Sequence, residues 1–139
     1  MVEALKNPTK IELLFRASEN GFKASAFHEK CDNIEDTLVL VHNEKGRSFG
    51  GFTHFPWQTP IGDNFYVEDL QRRAFIFSLD MMEKFDPVTN FTIVRSRDYG
   101  PAFGNNKELD FKVTDLCNKK YHESVSIFPA NYNRGMNKL

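Results

Sequence analysis

Two cysteines and four histidines are the first residues of this sequence to consider as zinc ligands or as a nucleophile with its base. His28 and Cys31 lie three residues apart, and Cys117 and His122 lie five residues apart. Together they match the number of ligands in a structural zinc site. However, H-x2-C combined with C-x4-H is an uncommon ligand spacing, and Cys31 continues an apolar stripe with Phe27. We therefore predict that Cys31 packs in the core and that no metal is bound.

Cys31 is also the first candidate for a nucleophile, because a thiol beside a histidine base can attack a substrate. The sequence contains no G-x-S-x-G elbow, and nothing places Cys31 at an exposed helix start that would lower its pKa. We predict no catalytic residues. A thiol-based antioxidant enzyme that uses Cys31 or Cys117 is kept as an alternative.

Carboxylates and glycines do not show the spacing of a known cofactor site. The acidic residues lack the pattern of a calcium loop or of a catalytic pair. The glycines at 50–51 and 100–104 precede neither Lys-Ser nor Lys-Thr, and no helix is predicted to begin there. We therefore predict that the protein uses no cofactor.

Composition indicates one globular domain over residues 1–139 with a net charge of -1. This charge gives no general attraction to nucleic acid, and no segment is apolar over the length that a membrane span needs. Two cysteines are too few for a secreted disulfide framework. We expect a cytoplasmic protein with reduced thiols, which reaches organelle membranes only through a partner and does not insert into them.

Two helices are predicted before the first strand. Residues 8–20 carry an apolar stripe that includes Ile11, Leu14 and Phe15, and Gly21 is placed to end the helix. Residues 23–30 form the second predicted helix, with Phe27 on its apolar side.

Residues 37–57 predict a β-hairpin around which the rest of the chain is organised. A short β-branched run is followed by Asn43-Glu44-Lys45-Gly46, which has the residues of a tight turn. Gly50 and Gly51 lie inside the second strand, where glycine indicates a bulge or the close approach of backbone or an aromatic ring.

Further strands are predicted at residues 74–79, 91–95, 109–113 and 124–128, with residues 74–79 central because both faces are largely apolar. In residues 109–113 the apolar side chains alternate with Asp110 and Lys112, which predicts one solvated face. Residues 131–139 are polar and predict nothing regular. The fold class is therefore α+β and mostly β, a two-layer antiparallel β-sandwich with two N-terminal helices packed at one side.

Two loops, at residues 56–64 and 96–104, are the candidate interaction surfaces, because aromatic residues on shaped loops supply anchors at interfaces. The candidate residues are Phe55, Trp57, Asp63, Asn64, Asp98, Tyr99 and Phe103. Packing is the alternative for the rings: Trp57 would plug the sandwich, and Tyr99 and Phe103 would lock their loop to the core. A ligand-binding or carbohydrate-binding sandwich that uses Trp57 and Tyr66 is a further alternative.

Five motifs in order along the chain resemble the TLDc domain of the oxidation resistance proteins. They are Gly21-Phe22; Ala26-Phe27-His28 with Lys30-Cys31-Asp32; Phe49-Gly50-Gly51-Phe52-Thr53 with Trp57; Ala74-Phe75-Ile76-Phe77-Ser78-Leu79; and Tyr99-Gly100-Pro101-Ala102-Phe103-Gly104. The resemblance implies a β-sandwich with flanking helices and no accepted active site.

The resemblance also implies a function, namely a regulatory domain that binds proteins. TLDc proteins are linked to oxidative-stress protection and to association with the vacuolar proton-pumping ATPase, whose subunits are the expected partners. Family members usually continue past the position of Asn131 with a further apolar strand, and this chain does not show one. Either the domain closes differently, or it leaves a sheet edge that a partner or a swapped segment completes.

Overall fold

The computed structural model describes residues 10–58, 65–105, 109–119, 125–126 and 132–138. Within these residues two short helices precede ten strands. The helices are α1 (Ala17–Asn20) and α2 (Ala24–Cys31). The strands are β1 (Thr37–His42), β2 (Ser48–Thr53), β3 (Phe65–Glu68), β4 (Phe75–Ser78), β5 (Glu83–Pro87), β6 (Phe91–Arg95), β7 (Tyr99–Gly104), β8 (Leu109–Thr114), β9 (Val125–Ser126) and β10 (Tyr132–Lys138).

The strands form two five-stranded antiparallel sheets. Sheet 1 has the order β1-β2-β4-β5-β10, and sheet 2 has the order β3-β6-β7-β8-β9. β4 lies in the middle of sheet 1, as its two apolar faces predicted. The predicted fold class, a mostly β architecture of two antiparallel sheets with two N-terminal helices, is confirmed.

The predicted hairpin is confirmed as β1 and β2, and its turn explains the register. The Asn43 side chain accepts hydrogen bonds from the backbone N–H groups of Lys45 and Arg47, both at 3.0 Å. Gly46 adopts a φ of 75°, which a residue with a Cβ rarely takes. The turn pairs His42 with Ser48, and the register then runs without a shift to Thr37 opposite Thr53.

Close approach of a ring accounts for Gly51 in β2. A Cβ at Gly51 would lie 2.6 Å from Cζ of Phe103, which belongs to the other sheet. The Phe103 ring therefore occupies the space above the Gly51 backbone, as the glycine pair predicted.

Aromatic rings connect the helices to the interior of the sandwich. Successive ring centroids lie 5.7 Å apart for Phe15 and Phe27, 5.7 Å for Phe27 and Trp57, 5.8 Å for Trp57 and Phe103, and 4.8 Å for Phe103 and Phe111. Most contacts in this series are edge-to-face, the geometry that the ring quadrupole favours. The core therefore begins beneath the helices and continues between the sheets.

The first helix is shorter than predicted. α1 covers only Ala17–Asn20, residues 10–16 are not helical, and residues 8–9 lie outside the described part. Ile11 is exposed, whereas Leu14 and Phe15 pack against the core from a backbone that is not helical, so the predicted stripe is not buried as one helix face. Without burial of a whole face, a short helix is marginal in water. Its predicted end is confirmed by Gly21, which has a φ of 98°.

The predicted loop at residues 96–104 was wrong, because most of it forms strand β7. The turn-forming residue Pro101 lies where the pairing with β8 shifts, between Tyr99 and Ala102. At such an irregularity a proline, which has no N–H, does not interrupt a regular ladder. Composition therefore predicted a turn where an irregular strand lies.

Three strands were missed, and one predicted face is wrong. β3 and β5 lie in segments where no strand was predicted, although β3 is mostly aromatic and apolar, and β10 lies in residues 131–139, where no regular structure was predicted. Asp110 of β8 is fully buried instead of solvated, and its Oδ1 accepts a hydrogen bond from the Tyr132 backbone N–H at 3.3 Å. A buried carboxylate is tolerated there because it has a donor.

Candidate functional site

A buried histidine joins helix α2 to the connection between β6 and β7. Nδ1 of His28 lies 2.7 Å from Oδ1 of Asp32, one helical turn further on. Nε2 lies 2.7 Å from the carbonyl oxygen of Ser96 and 3.0 Å from that of Tyr99. Since carbonyl oxygens only accept, Nε2 carries a proton and donates it. His28 therefore ties three segments together from a buried position.

Packing reinforces this junction. The ring of Phe27 lies against Gly100 of β7, where an added Cβ would come within 3.7 Å of it. On the next turn Cys31 joins the core cluster, as predicted. α2 is therefore fixed by an apolar face and by the polar contacts of His28.

A shallow depression lies over this junction and has a volume of about 530 Å³. We call it the α2 depression; it is lined by Ser25, His28, Glu29, Asp32, Arg97 and Asp98. The side chains of Arg97 and Asp98 are 64% and 77% exposed. The depression thus has a floor that the hydrogen bonds of His28 hold in place and a rim that is charged and solvated.

The segment after β2 lies next to the same junction. The backbone N–H of Asn33 donates to the carbonyl oxygen of Trp57 at 2.8 Å, and Nη1 of Arg95 donates to Oε1 of Gln58 at 3.1 Å. Burial lowers the pKa of Arg95, and the nearby carboxylate of Asp32 opposes that shift. The start of the first predicted loop and the start of the second therefore both lie at α2.

The predicted site residues differ in their exposure. Trp57 is 1% exposed and donates from Nε1 to Oγ1 of Thr37 at 2.9 Å. Tyr99 and Phe103 are also buried, and Phe55 is half-buried. Asp98 is exposed on the rim of the depression. Asp63 and Asn64 lie outside the described residues.

The burial of Trp57 agrees with the interpretation that it plugs the sandwich. Its ring lies between Phe27 and Phe103 and presents no face to solvent. Tyr66, its proposed companion in a carbohydrate site, is half-exposed and stacks edge-to-face on Phe91, with centroids 4.6 Å apart. The two rings therefore do not offer a joint stacking surface.

The His28–Asp32 pair was not predicted from the sequence as part of a site. The available signal was the spacing of four residues on a predicted helix, which brings two side chains together. Its partners, the carbonyl oxygens of Ser96 and Tyr99, lie about seventy residues away along the chain. Local spacing could therefore reveal the His28–Asp32 pair but not its contact with these two carbonyl oxygens.

The zinc arrangement considered above receives no support from the described residues. Both ring nitrogens of His28 face protein oxygens, so neither is directed at a metal ion. The described part of the chain holds no group of three or more His, Cys, Asp or Glu side chains placed to bind one. His122 lies outside the described residues.

Both thiols are held in the protonated form. Burial, and to a smaller extent the charge of Asp32, raises the pKa of Cys31 to about 11. Burial also raises the pKa of Cys117, although two backbone hydrogen bonds oppose it. A nucleophilic thiol needs the opposite shift.

The chain can now be compared with known classes of protein. Neither helix of the described residues has the length and apolarity to cross a bilayer. No curated protein matches the sequence significantly. The model of the TLDc domain family matches residues 2–136, nearly the whole chain. The motifs around α2, β2, β4 and β7 lie within that match, and the chain therefore belongs to the TLDc domain family.

Proposed function

We propose that this TLDc domain is a non-enzymatic regulatory module that acts by binding other proteins. The observation that carries the proposal is the α2 depression. Its exposed charged side chains lie above a floor that the hydrogen bonds of His28 hold in place. A charged rim on a rigid support favours recognition, because little ordering is needed when a partner binds. The raised pKa of Cys31 and Cys117 supports binding over thiol chemistry.

The partner we propose is the vacuolar proton-pumping ATPase, with oxidative-stress protection as the wider role. Both come from the activities associated with TLDc proteins, to which this chain belongs. The proposal places the domain in the cytoplasm and brings it to organelle membranes only through that partner.

Exchanging two rim charges tests the depression as the binding surface. The double variant Arg97→Asp with Asp98→Arg preserves net charge while reversing the local field. We expect binding to purified vacuolar ATPase, measured by surface-immobilised kinetics, to weaken about tenfold or more, mainly through slower association.

A matched control is available in another exposed ion pair. Lys10 and Glu12 lie 3.4 Å apart, with both side chains largely exposed. The variant Lys10→Glu with Glu12→Lys should change affinity less than about twofold. Equal effects of the two exchanges, or no binding of the ATPase by the unmodified domain, would contradict the proposal.

Alkylation of Cys31 separates binding from thiol catalysis. Because burial disfavours the thiolate, the pKa moves from 9.0 to about 11, and the thiolate fraction below pH 9 falls about 100-fold. We expect iodoacetamide to modify Cys31 about 100-fold more slowly in the folded chain than in urea, with the rate still rising up to pH 11. Mass spectrometry of the Cys31 peptide measures this.

A peroxide assay provides the matching functional result. The variant Cys31→Ser with Cys117→Ser should consume peroxide at the same negligible rate as the unmodified protein. Rapid consumption that both substitutions abolish would instead establish the thiol enzyme.

A further inference from the structure

The outer edge of strand β1 is open among the described residues. β1 is the first strand of sheet 1 and pairs there with β2 alone. Its residues, Thr37 to His42, include no proline and no lysine, and its register contains no shift. Edge strands of natural proteins normally carry such features, because an unmodified edge pairs with other strands.

The other three sheet edges each carry a protective feature. β10, at the far edge of sheet 1, has a register shift between Arg134 and Lys138. β3 has a shift between Val67 and Glu68, and β9 is two residues long. β1 is therefore the exception among the described edges, and it is also the most regular of them.

The side chains of β1 leave an apolar strip at this edge. Leu38 and Leu40 are 49% and 62% exposed. In the register with β2 they stand opposite Phe52 and Gly50, so they lie beside the buried cluster of Phe52, Phe75 and Phe77. The strip ends at the edge, where a further strand would cover it.

We propose that the occupant of this edge is β1 of a second copy of the chain, paired antiparallel about a two-fold axis. Centring the axis on Val39 places Leu38 of each copy opposite Leu40 of the other. Val39 then faces its own counterpart on the inner side, and both pairs are of the apolar type that stabilises adjacent strands. The two copies of sheet 1 become one continuous sheet.

Charge around β1 favours the antiparallel orientation. Glu35 and Asp36 precede the strand, whereas the turn after it carries Lys45 and Arg47 against a single acid, Glu44. Antiparallel pairing brings the acidic end of one copy to the more basic end of the other. Parallel pairing would place like charges together, which costs free energy in adjacent strands.

The area involved predicts a weak dimer. A stable interface buries about 800 Å² on each partner, and a six-residue edge with two leucines buries less. We expect dimers at concentrations of about 100 μM and above, and monomers on dilution. This association does not depend on the proposed binding to the vacuolar ATPase.

Sedimentation equilibrium of the full chain between about 5 μM and 1 mM tests the inference. The unmodified protein should shift from monomer to dimer, and Leu40→Lys should weaken the dimer about tenfold or more. Leu70→Lys is the matched control, because Leu70 is 74% exposed outside any strand, and it should leave the dimer unchanged. A monomer throughout this range, or a dimer that Leu40→Lys leaves intact, would overturn the proposal.

Disulfide trapping tests the register. In a Cys117→Ser background, the variants Leu38→Cys and Leu40→Cys are mixed and oxidised. Cross-strand partners lie within disulfide reach, so the mixed disulfide should form about tenfold faster than either homodimer. Preferential Leu38→Cys homodimers would exclude this register.

Discussion

The α2 depression and the β1 edge differ in how their side chains are buried and hydrogen-bonded. Beneath the depression, His28 packs against the buried ring of Phe27, and its nitrogens bond to Asp32, Ser96 and Tyr99. On β1 the exposed side chains are Leu38, Leu40 and His42, and the turn beside them is fixed by Asn43. A substitution under the depression should therefore change the stability of the fold, whereas one on the outer face of β1 should change only what the fold associates with.

The largest effect is expected at Trp57, whose ring packs against Phe27 of α2. Trp57→Ala removes a fully buried ring that contacts Phe27 and Phe103, and it leaves Oγ1 of Thr37 without its donor. We expect the free energy of unfolding to fall by about 3–5 kcal/mol. Urea unfolding followed by circular dichroism measures this.

Leu70→Ala is the control for the same measurement. Because Leu70 is exposed, its truncation should cost less than about 0.5 kcal/mol. Comparable losses for the two variants would mean that the rings do not form the principal core.

The next effect is expected at His28. His28→Ala leaves the carbonyl oxygens of Ser96 and Tyr99, and the carboxylate of Asp32, without this donor. Each such buried group costs about 1–3 kcal/mol, although water entering from the depression offsets part of it. We expect a loss of about 2–3 kcal/mol, with faster amide exchange in α2 than in β2.

His42→Ala provides a histidine control on the other surface. Its ring is exposed and bonds only to Oγ of Ser48 at 2.8 Å among the described side chains. A loss of less than about 0.5 kcal/mol is expected. If His28→Ala were equally mild, the junction would be held by packing alone.

The same contrast explains how far the sequence could predict the fold. The hairpin at β1 and β2 was predicted from a short β-branched run and the turn residues at Asn43, and the structure adds its register. Gly51 indicated a long-range contact, because the Phe103 ring of the other sheet leaves no space for a side chain at this position. Where the local pattern and the tertiary structure agree, the prediction succeeded.

Local signals were weaker around α2. β7 was predicted as a loop because Pro101 and Gly100 are turn residues, yet the sheet accepts them at an irregular pairing. The contact of His28 with Ser96 joins elements that only the folded chain brings together. Asp98 on the rim of the candidate site was thus predicted from the sequence, but the hydrogen bonds of His28 beneath it were not.

The smallest effect on stability is expected for Leu40→Lys, and it distinguishes the two surfaces most directly. Measured at a few micromolar, where the chain should be monomeric, the free energy of unfolding should change by less than about 0.5 kcal/mol, because the side chain is already in water. Val39→Lys is the matched variant on the same strand. Val39 packs against the core cluster, so lysine there should cost about 2 kcal/mol or more. A loss at position 40 as large as the loss at position 39 would mean that Leu40 is buried, and it could not then contact Leu38 of a second copy as proposed.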